Sequence, residues 1–155
     1  MLFTRTGQTD DFCSTIQFPH AWMPNTEVRV HLHCIPMVTP ASDQNVYLQY
    51  SYAWGNDANA LPANSGWTTG NVTLTVPASG AKTFMIQMLP LFASTADVTY
   101  DESSFLVVNV KRLGTDPLDT YSTHKASGTV TANLAVLNID AHYQVEKQGT
   151  PTEQD

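Results

Sequence analysis

Three of the five histidines in this 155-residue chain fall within one short stretch, PHAWMPNTEVRVHLHC at 19–34, which ends in a His-x-His step. Imidazole is the side chain best suited near neutral pH to ligate a metal, take a proton or bridge two polar groups. The residues around the step alternate apolar and polar. On an extended strand His31 and His33 therefore share one side with Glu27 and Arg29, while Val28, Val30, Leu32 and Cys34 share the other. Two imidazoles on one side of a strand can chelate an ion, and two further donors would complete a tetrahedral zinc site.

Three roles compete for this pair. Cupin enzymes place a metal on such a step and follow it within a few residues by a glutamate, but CIPMVTPASD follows here, with no Glu and no cupin glycine pattern. A trimer that brings three copies of the step to its axis would surround one ion with six imidazoles, a donor set that suits first-row transition metals. In the third role the histidines belong to the frame. Each ring then bridges a backbone carbonyl and a side chain, and Glu27 and Arg29 supply partners without any metal. The frame role is adopted: no catalytic or cofactor-binding residue is assigned, no cofactor is expected, and His31 and His33 stand only as candidate metal ligands.

Other chemistry has less to stand on. The chain has no GxSxG elbow, no HExxH and no phosphate-binding glycine loop. Asp101 and Glu102 in YDESS read as a solvated turn, since a glycosidase pair needs its two carboxyls across a cleft. The expectation is that the protein is not an enzyme. Trp54 precedes the turn-rich stretch 55–70 and Trp67 lies within it, and both would offer flat faces to sugar rings, although core or interface packing is the simpler use of both.

The elements that must position these residues are strands. Candidates run at 14–18 (STIQF), 27–35 (EVRVHLHCI), 46–54 (VYLQYSYAW), 72–76 (VTLTV), 83–91 (TFMIQMLPL), 105–112 (FLVVNVKR) and 129–145 (TVTANLAVLNIDAHYQV). Their β-branched and aromatic residues suit a half-buried pleated surface. Turn chemistry separates them, as in TPASDQN, PASGAK and GTDPLDTYSTHKASG, and no segment carries a capped helical stripe. Seven to eight such strands predict an all-β antiparallel sandwich of jelly-roll type, one domain over 13–145 with an N-terminal arm at 1–12 and a polar tail at 146–155.

Composition narrows the partners. Charged residues are only 14% of the chain, against roughly a quarter in ordinary domains, which suits a protein packed against neighbours. The net charge is −7 and the seven basic residues are scattered, with only Lys111 and Arg112 adjacent, so neither nucleic acid nor an anionic membrane is expected as a partner. The opening MLFTRTGQTDDF does not read as a signal peptide, and no apolar window is long enough to span a bilayer. Cys13 and Cys34 lack zinc-site spacing and are expected as reduced thiols, with a bridge between them left open.

Four segments in order resemble a family of tailed-bacteriophage virion proteins. FPHAWMPNTEVRVHLHC is similar to its Pro-His-Ala-Trp segment and His-x-His strand, and YLQYSYAWGN to the aromatic strand that follows. KRLGTDPLDTY and LNIDAHYQ are similar to its closing segments, a basic-to-Asp-Thr-Tyr turn and a strand ending His-Tyr. The chain departs from the pattern at Cys34, where an aromatic is usual, and at Asn25, where glycine is common. The resemblance implies a structural virion component in which His20, Trp22, His31, His33 and His142 are frame residues. Its expected role is capsid decoration through symmetric assembly, and its expected form a homotrimer. Its partners would be the major capsid protein or tail and neck proteins, in a virion assembled in the host bacterial cytoplasm. The alternative is a head- or tail-fibre or adaptor module binding host-surface glycans.

Overall fold

The computed structural model describes residues 2–3, 11–19, 28–55, 66–79, 84–89, 104–121 and 133–144. They form eight strands: β1 (Leu2–Phe3), β2 (Asp11–Gln17), β3 (Val28–Pro36), β4 (Gln44–Gly55), β5 (Thr68–Val76), β6 (Met85–Met88), β7 (Phe105–Arg112) and β8 (Leu134–Tyr143). Among the described residues there is no α-helix, and none long and apolar enough to cross a membrane.

The strands make two four-stranded antiparallel sheets, in the orders β1-β8-β3-β6 and β2-β7-β4-β5. First pairs with last, second with seventh, third with sixth and fourth with fifth, which is how a long antiparallel ribbon rolls into the two sheets of a jelly roll. The fold class expected from the alternation is the one observed. The expected boundaries differ at the N-terminus: Leu2 and Phe3, inside the expected arm, pair with Ala135 and Leu134, and β2 already begins at Asp11.

The core lies between the sheets, and period two selects it. From β3 come Val28, Val30, Leu32 and Cys34, from β4 Val46, Leu48 and Tyr50, from β7 Leu106, Val108 and Val110, and from β8 Leu134, Val136 and Ile139, all buried. Each such side chain contributes roughly 1.5–3 kcal/mol relative to leaving it in water. The register of β4 on β5 is pinned where Tyr50 pairs with Gly70, because a Cβ at Gly70 would run into the Tyr50 phenol. Both thiols are free: Cys13 is exposed, whereas Cys34 faces the core and its burial pushes the thiol pKa up to about 12.

One irregularity reaches the outer surface. On β8 the pairing runs His33 to Asn138 and then Cys34 to Val136, so Leu137 is an extra, unpaired residue, a β-bulge. Before it Leu134 and Val136 point inward; after it the inward set is Ile139, Ala141 and Tyr143. Strict alternation from Val136 would have buried Asn138, Asp140 and His142. The bulge reverses the phase and leaves these three on the outside, beside the outward residues of β3.

Candidate metal centre

The outer face of the β1-β8-β3-β6 sheet is built from that phase reversal. Arg29, His31 and His33 on β3 stand opposite His142, Asp140 and Asn138 on β8. The His31–Asp140 pair is in direct cross-strand register, and His33 is the next outward position along β3. A carboxylate is thereby delivered between two imidazoles by backbone pairing alone.

His31 Nδ1 lies 3.4 Å from Asp140 Oδ1, and His33 Nε2 lies 2.9 Å from Asp140 Oδ2. One donor atom from each of the three residues falls within 4.8 Å of the others. The second contact is short but not aligned for hydrogen bonding, so His33 Nε2 is buried without a hydrogen-bond partner, and so is Asp140 Oδ1. Leaving one buried polar atom unsatisfied costs about 1–3 kcal/mol, and here two sit side by side. The His142 ring packs edge-on against His31 at 4.5 Å, and the exposed Phe84 ring lies 5.2 Å from His33. These neighbours limit where the two imidazoles can turn.

The geometry bears on two of the three roles set out from the sequence. In a cupin the metal lies inside the barrel; here the inward side chains of β3 are Val28, Val30, Leu32 and Cys34, and the histidines face out. The frame role foresees hydrogen-bonded imidazoles, yet His33 Nε2 has no such bond. Glu27, offered as a partner from the sequence, lies outside the described residues, as do His20, Trp22, Asn25, Asp101, Glu102 and the tail at 146–155. Sequence reasoning did not single out Asp140. Its signal is the break in alternation between Val136 and Ile139, which puts Asp140 on the outward phase only if a residue is bulged out.

The tryptophans have separate positions. Trp54 stacks on Phe18 at 5.1 Å between ring centroids and packs against the core, as the packing reading expects. Trp67 borders a shallow depression on the outer face of the other sheet, lined also by Ser51, Thr69 and Asn109. Those three polar residues form one cross-strand row, and Asn109 Oδ1 is buried there without a hydrogen-bond partner.

A second charged cluster is sealed. Arg112 ends β7 on the inward phase and meets Asp119 in a bidentate pair, Nε to Oδ2 at 2.7 Å and Nη2 to Oδ1 at 2.6 Å, with both side chains fully buried. Nη2 also donates to the Tyr121 carbonyl at 2.6 Å, and the guanidinium lies over the Tyr121 ring. Asp119 Oδ2 accepts from the Tyr47 amide, and the Tyr121 hydroxyl donates to the Val38 carbonyl while accepting from the Val38 amide. The segment KRLGTDPLDTY is thus a lock that ties the chain after β7 to the start of β4.

No protein-family model, no curated protein and no solved structure matches the chain.

Proposed function

We propose that the chain is a structural component of a bacteriophage virion, a capsid decoration protein that works by symmetric assembly with copies of itself on the capsid. The observation that carries this reading is the outer face of the β1-β8-β3-β6 sheet. Phe84, Ile86 and Leu137 are each more than half exposed there, with half-buried Ile35 and Ala135 between them. Exposed apolar side chains gathered on one face mark an interaction surface more often than scattered ones do. Among the described residues the same face carries Arg29, His31, His33 and His142 against one carboxylate, Asp140, on a chain of net charge −7. An acidic surface is repelled least at this face, so the occupant proposed is a different, acidic face of the next copy. A head-to-tail contact whose rotation closes makes a ring, and a homotrimer is the form proposed.

Jelly rolls also serve lectins and enzymes, so the topology alone is only an analogy. The four sequence segments resembling tailed-phage virion proteins supply the specific support. Quantitative mass spectrometry of purified virions tests the reading. The expected result is a copy number that matches the capsid lattice sites; one set of copies per tail-fibre position would remove decoration, and absence from particles would remove the virion role.

The shelf of Asn109, Ser51 and Thr69 beside Trp67 favours a second reading, a fibre or adaptor module that binds host-surface glycans. An aromatic face beside polar groups is a sugar-binding arrangement, and Asn109 Oδ1 is an acceptor that a sugar hydroxyl would satisfy. A glycan array run with the full chain and with Trp67→Ala separates the two: binding lost in the variant supports the glycan module, and no binding in either removes it.

A further inference from the structure

We infer that His31 Nδ1, His33 Nε2 and a carboxylate oxygen of Asp140 form a binding site for one divalent first-row transition ion of the zinc class. The site goes beyond the assembly reading and does not depend on it.

Distance is the first ground. Two donors each about 2.0–2.1 Å from a tetrahedral ion stand roughly 3.3–3.4 Å apart. His31 Nδ1 and Asp140 Oδ1 are 3.4 Å apart, His33 Nε2 and Asp140 Oδ2 2.9 Å, and the whole set is contained within 4.8 Å. Backbone pairing of β3 with β8 holds the three residues side by side on one face.

Lone pairs are the second, independent ground. His33 Nε2 and Asp140 Oδ1 are buried atoms with no hydrogen-bond partner, and both belong to this cluster. A metal ion satisfies an imidazole lone pair and a carboxylate oxygen at the same point.

The donor set then selects the ion. Two imidazoles and one carboxylate suit zinc, cobalt, nickel or iron rather than calcium or magnesium, which take oxygen donors. Three protein donors leave a fourth tetrahedral position to an outside donor. The side chains of His31, His33 and Asp140 are 16%, 17% and 37% exposed, so that position opens on the outer face. It lies within the surface that also presents Phe84 and Ile86.

The experiment is a titration of chelator-treated full-length chain with Co²⁺, read by its visible absorption, and with Zn²⁺, read by calorimetry. Wild type is expected to bind one ion per chain with the intense absorption of a tetrahedral site. His33→Ala and Asp140→Asn are each expected to lose affinity by at least roughly a hundredfold, beyond the ten- to hundredfold typical of residues that only support a ligand. Asp140→Asn keeps the shape of the side chain, and matching circular dichroism of the metal-free proteins shows that folding is intact. His142→Ala is expected to retain the stoichiometry. Wild type without a stoichiometric binding event, or with binding unchanged in both His33→Ala and Asp140→Asn, overturns the site. Neither result depends on virion location, so failure here and failure of the assembly reading are told apart.

Discussion

Two clusters among the described residues pair a cation-forming side chain with an aspartate, and they differ in almost every physical respect. Arg112 and Asp119 are fully buried, bidentate, and surrounded by the Tyr47 amide, the Tyr121 carbonyl and the Tyr121 ring. His31, His33 and Asp140 are partly exposed, joined by contacts without hydrogen-bond alignment, and hold two unsatisfied atoms. The first cluster has used its bonding capacity internally and so can only hold the fold. The second has donor capacity left over on an outer face, which is the condition for binding something. Residue type alone does not separate architecture from function; unspent hydrogen-bonding capacity does.

The largest expected effect tests the sealed side. Asp119→Ala leaves Arg112 buried and uncompensated, a change that costs about 3–5 kcal/mol, measured as a fall in the urea midpoint with an unchanged slope. The same truncation on the open side, Asp140→Ala, is expected to cost less than about 1 kcal/mol, because the contacts there are partly exposed and not aligned as hydrogen bonds. Equal losses at the two aspartates would erase the distinction. The double variant Arg112→Met with Asp119→Leu sharpens it, since a buried pair replaced by apolar groups is often near neutral. Here the Tyr47 amide would lose its acceptor, so recovery should stop about 1–3 kcal/mol short of wild type. Tyr121→Phe removes the hydroxyl that both donates to and accepts from Val38, and a loss of about 1–2 kcal/mol is expected in the same assay.

A separate effect is read by thiol chemistry and by alkaline pH. Native protein should label at Cys13 alone, and unfolded protein at both cysteines, because the Cys34 thiol is shut in the core with its pKa pushed up to about 12. A folded-state pKa raised above its ordinary 9.0 gives stability that is whole below pH 9 and is lost as pH climbs toward 12, since only the unfolded thiol ionises in that window. Cys34→Ala should flatten that part of the stability–pH curve. Two labelled thiols in the native state would contradict the inward placement of Cys34.

Much of the fold was legible because one period governs it. The alternation at 27–35 and 46–54 separates the inward residues of β3 and β4, and FLVVNVKR was legible as a strand, though not that Arg112 shares its inward side with Leu106, Val108 and Val110. The two-residue strand at Leu2–Phe3 was hidden, since its place depends on an edge of β8 more than a hundred residues away. At the candidate site only half was visible. His31 and His33 announce themselves by spacing, whereas Asp140 joins them through a bulge at Leu137 and a register between β3 and β8, and pairing partners are not written in local sequence. The lock at Asp119 was hidden likewise: a carboxylate in a polar turn reads as solvated until the turn is seen folded over Arg112.

The proposal that this sheet face joins copies of the chain is tested most directly by light scattering on the purified full-length protein at its highest soluble concentration, alongside Ile86→Glu. Wild type is expected at three times the 17.0 kDa chain mass and the variant, folded by circular dichroism, at the mass of one chain. Wild type at the mass of one chain, or a variant that keeps the oligomer, would contradict it.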